Sequence, residues 1–156
     1  MSCHVSNRHG QCENERMLDY CFKVAINGPL GYEFNILKSE QWVKDEISKQ
    51  IEEYRSYEEL ILNGDFYRLK NPALDGCYAY YIANSDKSEI LISYLQNNGD
   101  PNETEHILKV SCAKSELNYR NTVTNEILSG AELNAGITVV ADTQERYGLI
   151  WHFVAE

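Results

Sequence analysis

The chain has 156 residues, 43% of them hydrophobic and 11% aromatic, enough for one packed domain or one small domain with an appendage. Its net charge of −10 excludes the clustered basic surface that a phosphate backbone demands, so no nucleic-acid partner is expected. No run of about 18 apolar residues occurs, so no membrane span is expected. The opening residues Met1-Ser2-Cys3-His4-Val5 carry no basic stretch followed by an apolar one, so no signal peptide is expected either. The five cysteines, Cys3, Cys12, Cys21, Cys77 and Cys112, form no C-x-x-C pair. Reduced thiols in a cytoplasmic protein are the expectation. Cys3, His4, His9 and Cys12 lie close in sequence, but structural metal sites favour paired ligands at tight spacing. No metal and no cofactor are expected.

Residues 7–16 are polar and read as a loop. Cys21-Phe22-Lys23-Val24-Ala25-Ile26 is a mostly apolar run of the kind that forms a strand buried on both faces. Asn27-Gly28-Pro29 ends it with a strong turn signal. Residues 32–36 extend toward Leu37. Ser39 is a candidate N-cap, with Glu40, Asp45 and Glu46 near the first turns. Trp42, Val43, Ile47, Ile51, Tyr54 and Tyr57 then mark one helical face, and Lys44, Lys49, Glu52 and Glu53 a solvated one. The helix covers residues 39–55 and continues toward Leu62 after an irregularity. One strand and one helix cannot cover a parallel sheet, so the first 60 residues read as a piece of something larger.

The period changes at Asn63-Gly64-Asp65-Phe66-Tyr67-Arg68-Leu69. Beyond it, apolar residues alternate between turn signals. Strands are expected at residues 66–69, 78–83, 89–95, 106–110, 119–123, 138–141 and 149–154. Short strands at this spacing predict an antiparallel sandwich. The 11 tyrosines suit half-buried strands with one wet edge. Trp42 and Trp151 are expected in the core. Asp65, Tyr67 and Arg68 read as a hinge or salt bridge more than as a sugar-facing cluster.

Several stretches carry a family resemblance. Met1-Ser2-Cys3-His4-Val5-Ser6 resembles M-G-x-H-V-S, although Ser2 stands where that motif has Gly. Residues 22–33 resemble F-x-V-A-x-x-G-x-L-G-Y-E, and residues 50–55 resemble Q-I-x-x-Y-K. Gly64-Asp65-Phe66-Tyr67-Arg68-Leu69 resembles G-D/T-F-Y-R-L, and residues 130–137 resemble G-x-E-L-M-N-x-G-L with one residue missing. In order and spacing these are similar to the C-terminal part of the glycoside hydrolase family 36 α-galactosidases.

That resemblance implies an α+β fold: a remnant of the last strands and final helix of a (β/α)8 barrel in residues 1–60, followed by an antiparallel all-β sandwich in residues 61–156. It implies a retaining enzyme acting on terminal α-galactosides such as melibiose and raffinose, with two catalytic carboxylates. Both catalytic aspartates would lie upstream of the His4-Val5-Ser6 motif, so no catalytic residue is assigned in this chain. The chain alone is then expected to be inactive, and to act with an α-galactoside oligosaccharide only in the context of the full enzyme. Association with the missing barrel portion, or a homo-oligomer, is expected from its uncovered apolar faces. His4, Asn27 and Gly28 are candidate substrate-binding residues, because barrels place their sites at strand C-termini. The alternative is a non-catalytic β-sandwich that binds carbohydrate or a partner protein, which an exposed row of Tyr and Trp would support.

Overall fold

A computed structural model describes residues 3–7 and 12–156. The chain is mixed α+β, and it divides into two compact units, residues 1–62 and 63–156.

In the first unit, strand β1 (Cys3–Ser6) is followed by helix α1 (Glu15–Ala25), strand β2 (Leu30–Glu33) and helix α2 (Gln41–Asn63). β1 and β2 pair in parallel, from Cys3 opposite Leu30 to Ser6 opposite Glu33. Parallel neighbours need a crossover, and α1 supplies it.

The expected strand at residues 21–26 is therefore wrong; these residues form the second half of α1. Leu18, Phe22 and Ala25 are buried at helical spacing. Asn14 caps the start, its side chain accepting from the Met17 N–H at 3.0 Å. Glu15 lies in the first turn and Lys23 in the last, as the helix dipole favours. Lys23 also reaches Asp19 one turn back at 2.7 Å. These charges and the cap decide for helix over the local apolar run.

Helix α2 begins at Gln41 rather than Ser39, whose hydroxyl instead donates to the Asn35 carbonyl at 3.1 Å. The irregularity expected after Arg55 is a kink at Tyr57, with φ −134°. The buried stripe runs Val43, Ile47, Gln50, Tyr54, Tyr57, Leu60 and Ile61. Two hydrogen bonds tie the helix to β2 and to the turn that precedes it. The Tyr32 hydroxyl donates to Gln50 Oε1 at 2.9 Å, and the Tyr54 hydroxyl donates to the Gly28 carbonyl at 3.2 Å.

In the second unit the strands are β3 (Asp65–Lys70), β4 (Tyr78–Ala83), β5 (Glu89–Gln96), β6 (Glu105–Leu108), β7 (Asn118–Asn121), β8 (Ile127–Ser129), β9 (Ile137–Val140) and β10 (Tyr147–Ala155). Two short helices interrupt them, α3 (Pro72–Asp75) and α4 (Gly130–Ala135). Six strands form an antiparallel sheet in the order β3-β4-β5-β10-β7-β8, and β6 pairs with β9. One core joins them: Tyr81, Ile90, Ile92, Tyr94, Tyr119 and Phe153 from the larger sheet meet Leu108 and Val139 from the smaller one and Leu133 from α4.

Sequence periodicity does not foretell α4. It is set by Ser129, whose hydroxyl accepts from the Glu132 N–H while Glu132 returns to the Ser129 N–H at 2.7 Å. Gly130 has no room for a Cβ, which would run into the Lys114 carbonyl. Trp151 lies half-buried against the core. Asp65 takes part in a salt bridge, accepting from Lys87 Nζ at 2.6 Å, and Lys87 also lies 5.5 Å above the Tyr67 ring.

The Tyr119 hydroxyl is fully buried and closes three segments together. It accepts from the Lys114 N–H at 2.9 Å and donates to the Lys87 carbonyl at 2.8 Å. Tyr119→Phe leaves both groups without that partner and is expected to cost about 1–3 kcal/mol, read as a lowered thermal midpoint. The Lys87 ammonium, through its hydrogen bond and its charge, holds the Asp65 carboxyl below its ordinary value of 3.8. A depressed carboxyl stabilises the fold above the unfolded pKa, and that stability is lost as pH falls through the folded one. Asp65→Asn is therefore expected to be less stable than the parent at neutral pH, with the gap closing below the ordinary carboxylate range in a pH series of denaturant melts.

Candidate functional site

Ligands of parallel α/β sheets bind beyond the carboxyl ends of the strands. In the first unit, a cleft of about 490 Å³ opens at that end of β1 and β2. Asn7 follows β1 and lines it, and Glu33, Phe34 and Asn35 line it at the end of β2. The first turn of α2 adds Trp42 and Val43, and Glu40 precedes it.

Trp42, expected in the core, is instead half-buried at this cleft. Its indole N–H donates to Glu40 Oε2 at 2.9 Å. The buried stripe of α2 begins one residue later, at Val43, which turns the indole toward the opening. Cys12 closes one side from beneath, 3% exposed. Its N–H donates to Asn7 Oδ1 at 3.1 Å and its thiol to the Ser6 carbonyl at 3.6 Å. A hydrogen bond with Cys21, then burial, pushes the Cys12 thiol far up, so it stays protonated and unreactive at neutral pH.

His4 projects from β1, its Nδ1 3.3 Å from Glu33 Oε1, so it touches a residue that lines the cleft. Its ring covers Gly31: a Cβ there would lie 2.5 Å from His4 Cδ2. Asn27 and Gly28 are not brought to this site. They follow helix α1 rather than a strand, and they precede β2, so they sit at the amino end of the pair. Asn27 Nδ2 donates to the Val24 carbonyl at 3.0 Å, and Gly28 receives Tyr54 as above. Reading residues 21–26 as a strand reversed the end of the sheet on which this turn falls.

Three carboxylates, Glu13, Glu33 and Glu40, share the cleft, and sequence reasoning named none of them as site residues. Their signal was position: Glu33 closes the Tyr32-Glu33 segment, and Glu40 precedes the helix. All three are exposed, whereas a glycosidase acid needs a desolvating pocket. Among the described residues no three His, Cys, Asp or Glu side chains converge as a metal site. Cys3, His4 and Cys12 do not form one, and His9 lies outside the described residues. The arrangement can accept hydrogen bonds from hydroxyls and offer an indole edge, without a built acid–nucleophile pair.

No family model matches the chain. Curated proteins do. α-Galactosidase 1 of Pediococcus pentosaceus is 28% identical over 158 residues, 99% of this chain and 21% of that protein. α-Galactosidase Mel36A of Lactobacillus acidophilus is 29% identical over 135 residues, 85% of this chain and 18% of that protein. Among solved structures, the GH36 α-galactosidase AgaA of Geobacillus stearothermophilus superposes on 100% of this chain with a TM-score of 0.88 and 26% identity. The chain belongs to the family 36 α-galactosidases. It spans 13–21% of the length of the curated relatives it matches, and 22% of AgaA. The galactosidase domain of the α-galactosidase–sucrose kinase AgaSK matches 98% of it, with a TM-score of 0.85 and 26% identity.

The residues that carry the family likeness are mostly joints of the fold. Tyr32 and Gln50 form a β2–α2 hydrogen bond, and Tyr54 ties α2 to Gly28 in the turn before β2. Asp65 and Tyr67 hold Lys87. Glu132 caps α4, and Asn134 Nδ2 donates to the Ala113 carbonyl at 2.9 Å. His4 is the exception in this set: it touches Glu33 at the cleft, its Nδ1 3.3 Å from Glu33 Oε1, in a contact whose members are 44% and 37% exposed. Pairs this open are worth about 0–1 kcal/mol. Gly31→Ala is therefore expected to push the His4 ring off Glu33 with under about 1 kcal/mol lost in denaturant melts. The displacement would register as changed His4 ring chemical shifts in imidazole NMR.

Proposed function

We propose that this chain forms the C-terminal part of a retaining α-galactosidase. Residues 1–60 are the end of its (β/α)8 catalytic barrel and residues 61–156 its C-terminal β-sandwich. The observation that carries the reading is the order β1-α1-β2-α2 with β1 and β2 parallel, which is the repeat of such a barrel. A two-stranded parallel sheet is rarely self-sufficient, because parallel sheets are normally covered on both faces. Exposed Val24, Ile36 and Leu37 in the same unit, Leu37 at 90%, fit a surface that further barrel elements cover.

On this reading the substrate is a terminal α-galactoside such as melibiose or raffinose. The nucleophile and the acid/base are two carboxylates about 5–5.5 Å apart, supplied by barrel segments outside this chain. The cleft at the carboxyl ends of β1 and β2 then contributes wall, with Glu33, Glu40 and Trp42 facing the substrate side. The five free cysteines suit a cytoplasmic enzyme. A stand-alone sandwich that binds sugar on an aromatic platform has less support. Its platform would be an exposed aromatic row, and Tyr80, Tyr81, Tyr94 and Tyr119 are all buried.

The purified chain is expected to release no nitrophenol from p-nitrophenyl α-galactoside. Co-expression with a barrel portion that bears the two aspartates is expected to give co-elution of the two pieces and restored turnover. Turnover by the chain alone would overturn the reading.

A further inference from the structure

A second cleft, of about 200 Å³, lies wholly within the unit of residues 63–156. It opens where β5 runs into the loop after Gln96. Asp75 and Gly76 at the end of α3 form one side, Asn98 and Asp100 another, and His106 of β6 a third.

Its walls are fixed by hydrogen bonds. Gln96, 2% exposed, donates from Nε2 to the Asn98 and Asp142 carbonyls at 2.6 and 2.7 Å. Its Oε1 accepts from the Asp142 N–H at 2.9 Å and from the Tyr94 hydroxyl at 3.3 Å. Gly99 lies so close to the segment at Thr143 that a Cβ would strike the Thr143 carbonyl. Asp100 accepts from the Asn102 and Thr104 N–H groups at 2.9 and 3.3 Å, and Asp75 Oδ2 accepts from the Asn71 N–H at 2.8 Å. Each carboxylate keeps further acceptor sites.

His106 breaks this pattern. It is 8% exposed and its ring lies 5.8 Å from that of Tyr94, yet it makes no hydrogen bond among the described residues. Buried polar side chains are normally paired, and a neutral imidazole carries one donor and one acceptor. His106 lines the cleft.

We propose that this cleft binds one polyhydroxylated ring of hexose size, held by Asp75, Asn98, Asp100 and the otherwise unused His106 imidazole. A metal ion does not suit it, because no three ligating side chains converge among the described residues. An anion does not suit it either: two carboxylates line it and no Lys or Arg does. A neutral ring carrying hydroxyls on several sides matches acceptors that are spread rather than focused. The volume lies below the roughly 300–1,000 Å³ of drug-sized sites, which limits the occupant to a single ring. Tyr94 and Ala141 supply the apolar contact. The site lies in the second unit alone and does not rest on the galactosidase reading.

The test titrates D-galactose and D-glucose into the full chain while imidazole and indole NMR signals are followed. A saturable shift of the His106 ring, with the Trp42 indole unmoved, is expected for at least one sugar. His106→Leu, with its thermal transition recorded, is expected to weaken binding by about tenfold or more, as loss of a buried hydrogen-bond partner does. Asn98→Ala, on the exposed loop, serves should His106→Leu fail to fold, and it too is expected to weaken binding. An absent response, a response at Trp42 only, full binding by a folded variant, or saturation by Ca²⁺ in place of sugar would each overturn the proposal.

Discussion

The second unit depends on one pairing, that of β5 with β10. Eight residue pairs run antiparallel from Gln96 opposite Tyr147 to Glu89 opposite Val154. They set the centre of the six-stranded sheet, with β3 and β4 on one side and β7 and β8 on the other. Every residue of β5 after Glu89 is buried. Successive side chains point to opposite faces, so both faces of this strand are covered. Ile90, Ile92 and Tyr94 enter the shared core, and Phe153 of β10 enters beside them. A one-residue slip would send each of these to the other face. The short β6–β9 pair and α4 have little apolar area of their own, and they hold their places against the face that this register presents.

The first unit is governed by a different constraint. Its strands are parallel, so their connection must climb back along the sheet, and α1 makes that return. Gln50 and Tyr54 then fix α2 to β2 and to the turn before it through side-chain hydrogen bonds, the second to the Gly28 carbonyl. These polar joints sit in buried or half-buried surroundings, where an unmatched group is costly. That explains why polar residues interrupt an otherwise apolar helical stripe.

Much of this was legible in the sequence. β4, β5 and β10 are dense in Tyr, Ile and Leu between clear turn signals, and pleated burial is the natural outcome. α2 declared itself by period, and even its kink fell near the expected irregularity. α1 did not. Its apolar spacing, Leu18-Phe22-Ala25, was hidden under the contiguous run from Cys21 to Ile26, and the deciding features were an Asn cap and an i,i+4 ion pair. α4 was hidden by its length of six residues, too short for a period. The site was legible only in part. His4 touches the cleft through Glu33, whereas Asn27 and Gly28 were drawn to the wrong end of the sheet by the misread helix. Glu33, Glu40 and Trp42 assemble from residues on both sides of a loop, and no local pattern announces that convergence.

The strand order also has a consequence for synthesis on the ribosome. β10 lies between β5 and β7, yet it is made after both. Until Tyr147–Ala155 emerges, β3-β4-β5 and β7-β8 are separate pieces, and β5 presents a long apolar strand with an open edge. Such edges pair readily with other nascent chains. The six-stranded sheet can close only when Tyr147–Ala155 is available to both halves.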